Sequence, residues 1–355
     1  MDNLGTMRPT PNAQRPTPNA QRPTPDSAQN QDEVIHVVLA VYDPSGTYSQ
    51  HAGVVMTSIF ENTQSKVTVH LLHDNTLTEE NRQKFIRTAE KYSQGLEFHD
   101  VTEYFSQVSD DVKRSTKQFT VGTLFRLLIP HTIKLDKVIY LDTDLVVNMD
   151  IRELWNVDIG QNCIAGYHDK LLYERLQDRV IGWLNGGDSR NEINAGVLPM
   201  NLAMIRKKGD MFRDAMKWFS RRYHLATRAD QSFIYVYFGN SITMLDERMN
   251  LRNPPASRSV DDCIIHTAGG VKTWEMSGFP VNKLYWHHYL RSAWGENSSC
   301  EELLEAISSR IKQPQPKPCL IKRIARRLFN TTPAVIVRIL LKDIYYRLKH
   351  ALSRH

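Results

Sequence analysis

The chain has 355 residues, 41% of them hydrophobic, enough for one large domain, or one domain with appendages, around a sizeable core. Its formal net charge of +6 is concentrated at one end: residues 320–355 hold nine Lys or Arg and a single Asp, so the remainder is slightly acidic and a nucleic-acid-binding catalytic domain is not implied. The four cysteines, Cys163, Cys263, Cys300 and Cys319, lack Cys-x-x-Cys spacing, which argues against a zinc module; they read as reduced thiols, although an even number also allows a bridge.

The N-terminal tail, 1–33, is built on three near-copies of a heptad: Arg8-Pro-Thr-Pro-Asn-Ala-Gln14, Arg15 to Gln21, and Arg22-Pro-Thr-Pro-Asp-Ser-Ala28. Six of the 16 prolines fall here with almost no large apolar residues, so nothing offsets the entropy of ordering and the tail is expected to be disordered. It reads either as an inert spacer or as an extended Pro-rich ligand.

Residues 34–319 have the βα rhythm of an α/β domain. Val34-Ile-His-Val-Val-Leu-Ala-Val41 is a strand of the kind covered on both faces. Val54, Val55, Ser58 and Ile59 suggest a short helix, and Lys66 to Leu72 a second strand. Thr78 is a good N-cap, followed by Glu79 and Glu80 in the first turn, with Phe85, Ile86, Ala89 and Tyr92 at helical spacing. Strands are predicted at Leu96–Val101 and Val138–Leu141, then at 163–166, 196–201, 241–245 and 263–266. The basic tail, 320–355, reads as two amphipathic helices. Leu320, Ile321, Ile324 and Leu328 line the first; Thr332 and Pro333 open the second, with Ile336, Ile339, Leu340, Ile344 and Leu348 on its apolar side. Such helices either lie on anionic lipid or pack on the domain and expose their charges. With no apolar run of roughly 20 residues and no signal-peptide core, the expected location is cytoplasmic, peripheral on the inner face of the cell membrane.

The chemistry concentrates in Lys137-Val-Ile-Tyr-Leu-Asp-Thr-Asp-Leu-Val-Val-Asn148. Side chains two apart on extended backbone point the same way, so Asp142 and Asp144 can face one hard cation at the carboxyl end of a strand. The same Asp-Thr-Asp also fits a turn with a helix cap. Far downstream, His266-Thr-Ala-Gly-Gly-Val-Lys-Thr-Trp274 offers an imidazole, bare backbone at Gly269 and a phosphate-seeking cation, Lys272.

Together these blocks resemble family 8, the retaining sugar-nucleotide glycosyltransferases that include bacterial lipopolysaccharide galactosyl- and glucosyltransferases and glycogenin. The resemblance implies a GT-A fold: a Rossmann-like, mostly parallel sheet with a mixed acceptor-binding half. It implies metal ligation by Asp142, Asp144 and His266, with Mn²⁺ favoured by a mixed oxygen and nitrogen set and Mg²⁺ as the alternative. Thr143, Gly269 and Lys272 would border the diphosphate, Arg126 would contact the donor, and Asn194, Asp230 and Gln231 would flank the sugar. The family's His-x-x-Gly-x-x-Lys-Pro-Trp pattern has Thr273 in place of proline, which touches loop stiffness more than ligand chemistry. The match is poorest on the first strand, where Ala40-Val-Tyr-Asp43 precedes an apparently longer loop. Asp43 is the candidate for base or ribose, and Tyr42 or Tyr48 for stacking on uracil.

The expected function is transfer of galactose or glucose from UDP-galactose or UDP-glucose, with retention, to an oligosaccharide or glycolipid acceptor such as lipopolysaccharide core, beside an anionic membrane surface contacted through 320–355. Two alternatives stand. One is a catalytically lapsed sugar-nucleotide-binding protein of the same fold. The other is a nucleotidyltransferase, which normally carries a Gly-rich basic loop after its first strand, whereas Asp43 to Tyr48 has one Gly and no Lys or Arg.

Overall fold

A computed structural model describes residues 33–106, 108, 112, 120–168, 176–184, 192–226, 228–268, 272–275, 280–296 and 332–352. The heptad repeats, Gly269 and the first expected basic helix lie outside the described residues.

Four strands, β1 (Ile35–Val41), β2 (Val67–His73), β3 (Gly95–Asp100) and β4 (Lys137–Leu141), run parallel in the order β3-β2-β1-β4. Val37, Val38 and Leu39 are fully buried because one helical layer covers each face, as their unbroken apolar run requires. Helix α1 (Ser49–Glu61) is nearly all buried and longer than its sequence suggested. Helix α2 (Glu79–Lys91) starts as expected, with Thr78 Oγ1 accepting from Asn81 N at 3.2 Å.

Beyond β4 the direction changes. β5 (Leu145–Asn148) leaves for a second, three-stranded sheet, β5-β10-β9, with β9 at Leu251–Arg252 and β10 at Cys263–His266. The main sheet continues through β7 (Val197–Asn201), β6 (Ile164–Gly166) and β8 (Ile242–Met244), with β7 antiparallel to both β4 and β6. Two registers then build the site. Leu141 pairs with Val197, which sets Asp142 N on Gly196 O at 2.8 Å, and His266 pairs with Leu145, which brings the imidazole beside Asp144.

The remaining long helices are α3 (Leu176–Leu184), α4 (Leu202–Lys208), α5 (Met211–Arg222), α6 (Asp230–Phe238), α7 (Pro280–Arg291) and α8 (Thr332–Leu352). Arg126 lies on a 3₁₀ segment, Val121–Leu128. Helix α8 is apolar on two sides. One packs on α3 and on the turn Tyr223–Leu225, where His224 Nε2 meets Asp343 Oδ1 at 3.1 Å and stacks on Tyr346. The other leaves Val337, Leu341, Ile344, Tyr345 and Leu348 exposed, so the single stripe expected from sequence divides between the two faces. No helix among the described residues is long and apolar enough to cross a membrane.

Candidate active site

Asp142, Asp144 and His266 converge where the two sheets meet. His266 Nε2 stands 3.2 Å from Asp144 Oδ1 and 3.8 Å from Asp142 Oδ2. Asp144 Oδ1 is buried without a hydrogen-bond partner. A chain of amides decides what faces it. Gly196 N donates to Asn194 Oδ1 at 3.0 Å, so that atom is an acceptor, and Asn250 Nδ2 donates to it at 3.0 Å. Asn250 Oδ1 is thus left to accept from His266 Nδ1–H at 3.0 Å, so that a neutral imidazole would present its Nε2 lone pair to the carboxylates. Opposed acceptors at these distances fit a divalent cation held by all three residues, with bare Gly196 making room: a Cβ there would lie 2.3 Å from His266 Cε1 and 2.7 Å from Asp142 Oδ2.

Lys272 Nζ reaches the other Asp144 oxygen and Thr267 O, the latter at 3.0 Å. Burial pushes the Asp144 carboxyl up, and His266 and then Lys272 outweigh it, so it stays ionised. Tyr48 closes one side, hydrogen-bonded by Thr143, and burial together with Asp144 raises its phenol well above the usual range.

Arg126 is buried between two carboxylates, Nη2 at 2.9 Å from Asp142 Oδ1 and Nε at 3.0 Å from Asp230 Oδ2, and it also donates to Ala195 O. Burial works against its charge and the two carboxylates more than restore it. Asp230 is pushed up to about 6 by burial, with Arg126 opposing and Asp142 adding. Its place is the first turn of α6, not the cap: Ala229 precedes it at φ 47, a left-handed conformation that a non-glycine residue adopts under strain. Gln231 is fixed at both ends of its amide, Oε1 accepting from Ala195 N at 3.3 Å and Nε2 donating to buried Glu192 at 3.3 Å. Asn194, Asp230 and Gln231 therefore share one wall with Arg126.

On the first strand, Asp43 anchors its own loop. Oδ1 accepts from Tyr48 N at 2.8 Å, and Oδ2 from Ser49 N and Ser49 Oγ at 2.8 and 2.7 Å. Ala40 and Tyr42 are partly exposed at the end of β1, with Tyr42 edge-on to Phe125.

The sequence profile of glycosyl transferase family 8 matches residues 40–277, about two thirds of the chain. The chain belongs to glycosyl transferase family 8. General stress protein A of Bacillus subtilis is 24% identical over 293 residues, 74% of this chain and 96% of that protein. A lipopolysaccharide 1,3-galactosyltransferase of Salmonella typhimurium is 27% identical over 216 residues, 55% of this chain and 60% of its own length. The solved galactosyltransferase LgtC, in complex with donor and acceptor sugar analogs, superposes with a TM-score of 0.62 at 21% identity, covering 77% of this chain and 100% of that one, and shares its GT-A fold. Membership in family 8 sets the nucleotidyltransferase alternative aside.

Where the family 8 pattern carries proline, Thr273 donates its N–H to Thr267 Oγ1 at 3.2 Å, a bond proline could not make. A hydrogen bond thus takes over from the ring in steadying this turn. Trp274 is a packing residue, stacked on His51 with ring centroids 3.6 Å apart. Sequence reading missed Asn250 and Glu192. Neither belongs to a local motif, and each acquires meaning only through the partner that folding sets beside it.

Proposed function

We propose that this family 8 enzyme moves galactose or glucose, with retention, from a UDP-sugar to a cell-surface glycan acceptor such as lipopolysaccharide core, with Mn²⁺ or Mg²⁺ held by Asp142, Asp144 and His266. The observation that carries the reading is the unpartnered Asp144 Oδ1 facing the His266 Nε2 lone pair at 3.2 Å in a glycosyltransferase chain. When bound, the ion would supply positive charge to the leaving diphosphate. Lys272 adds a point charge, and Tyr42 and Tyr48 border the uridine. Gln231, its amide clamped, stands as the electrostatic support for an oxocarbenium-like sugar in a same-face substitution. The alternative nucleophile, Asp230, is tied to Arg126, which disfavours double displacement.

Release of UDP from a panel of UDP-sugars, with Mn²⁺, with Mg²⁺ and with chelator, tests this. Chelator-sensitive hydrolysis of UDP-galactose or UDP-glucose is expected; failure of every UDP-sugar to bind would overturn the reading in favour of another nucleotide or a lapsed site. Because Asn250 sets the His266 tautomer, Asn250→Ala should weaken Mn²⁺ binding by roughly 10–100-fold, the usual cost of losing an outer-shell partner. Titration of Mn²⁺ against UDP release would measure it, and an unchanged ion requirement would remove the orienting role.

The acceptor's position at a membrane is supported by α8. Its exposed Val337, Leu341, Ile344, Tyr345 and Leu348 lie beside exposed Arg338 and Lys342, and Trp183 of the neighbouring helix α3 is 70% exposed. Apolar area flanked by basic charge suits an anionic bilayer surface. The full chain should float with phosphatidylglycerol vesicles in a salt-sensitive way and far less with phosphatidylcholine, and Leu341→Glu should weaken it. Equal behaviour with both lipids would sink the idea.

A further inference from the structure

A second set of metal-ligand side chains lies on β2 and β3, away from the carboxyl end of β4. In the parallel pairing of these strands, His70 is the register partner of Glu97. Glu97 and His99 are two apart on β3 and so share a face with it. His70 Nδ1 stands 3.0 Å from His99 Nε2 and 3.3 Å from Glu97 Oε2, and His99 Nε2 is 3.7 Å from the same carboxylate oxygen. Three atoms bound to a tetrahedral ion at about 2.0–2.1 Å lie about 3.3–3.4 Å from one another, the value these three separations bracket.

The geometry points to a second divalent-metal site, of the Zn²⁺ type, formed by His70 Nδ1, His99 Nε2 and Glu97 Oε2. Two imidazoles and one carboxylate are a donor set that Zn²⁺ takes readily, unlike the more oxygen-rich trio at Asp142 and Asp144. His36 supplies an outer partner: its Nδ1 is 3.0 Å from His70 Nε2, and a His70 protonated at Nε2 would donate there and keep its Nδ1 lone pair for the ion. Glu97 is exposed, which leaves the fourth position open to water and gives the ion a way in.

A third group of similar composition shows the contrast. Glu61 stands between His287 and His288, but Arg291 Nε lies 3.0 Å from its carboxylate and already supplies the positive charge. No such role for an ion exists there. At His70 an ion would tie the edge strand β3 to β2, closing a connection that spans α2. The consequence is a stapled sheet edge, separate from the transfer chemistry.

Equilibrium dialysis of the Asp144→Ala protein against Zn²⁺, with metal analysis, tests the site while the first trio lacks a ligand. One retained equivalent of Zn²⁺ and a higher thermal unfolding midpoint with Zn²⁺ are expected. Adding His99→Ala should abolish both, and so should Glu97→Gln, whose exposed position makes it the control should the histidine variant fail to fold. In the otherwise native chain, Glu97→Gln should leave UDP-sugar turnover unchanged. Absence of retained Zn²⁺, or retention unaltered by either substitution, would overturn the assignment.

Discussion

Replacing Asp144 by alanine should lower sugar-transfer turnover by roughly 10³-fold or more, because one preorganised electrostatic group is worth about 10²–10³ and Asp144 organises two. One of its oxygens faces His266 without a hydrogen-bond partner; the other holds Lys272 Nζ. On the proposed reading, the substitution removes a ligand and releases the cation that would meet the diphosphate. Stability should change little, by less than about 1 kcal/mol, since Lys272 is a quarter exposed and its ammonium can swing to water on a flexible stem. That contrast separates lost chemistry from lost fold. UDP release and urea unfolding, measured on the same preparation, check both, and turnover within tenfold of the parent would end the case for Asp144 as a metal ligand. Asp144→Asn is the sharper control, since it keeps the side chain's shape while removing the charge and turning one acceptor oxygen into an amide donor.

Local signals in the sequence carried the parallel half of this fold well. An unbroken apolar run marks a strand covered on both faces, and Val34–Val41 is one; a threonine before two glutamates marks a helix start, and Thr78 is one. The Asp142, Asp144 and His266 set was legible because the paired carboxylates, read with the His266 to Trp274 block, resembled family 8, and the structure brings the three together between β4, β5 and β10. What stayed hidden depends on register. Nothing local says that β5 abandons the main sheet after Asp144, yet that departure lets β10 carry His266 to the carboxylates. Asn250 could not be found for the same reason: its neighbours are ordinary, and its task is set by Asn194 and His266, which lie 56 and 16 residues away. Asp43, expected at the nucleotide, has a second task that the sequence did not show: its oxygens hold its own loop. For Arg126, the family resemblance pointed to the donor, but a guanidinium buried between Asp142 and Asp230 became visible only once α6 and the β4–β7 junction met around it.

Arg126→Met should destabilise the folded chain by about 3–5 kcal/mol at neutral pH, the usual result of removing one partner from a buried ion pair and leaving the other charge uncompensated. Here two charges are left. Asp142 keeps the Tyr140 hydroxyl at 2.7 Å, but Asp230 loses its cation, and its Oδ2 has no hydrogen-bond partner to fall back on. The effect should depend on pH, and the sign follows from linkage. Burial already raises Asp230 to about 6 from an ordinary 3.8, and Arg126 opposes that rise. Without the guanidinium the folded-state value climbs further, so the native variant binds a proton that the unfolded chain has released. Stability of the variant is therefore greatest below the unfolded-state value and falls as pH rises through the raised folded-state value. The deficit relative to the parent should be smaller at pH 5 than at pH 8, and urea unfolding at both would show it. Arg126→Lys restores the charge but not the planar fork that reaches Asp142, Asp230 and Ala195 O together, so it should recover part of the loss and leave turnover impaired. A deficit that is equal at both pH values, or larger at pH 5, would mean that Arg126 acts through packing on Tyr140 and not by holding two carboxylates in place.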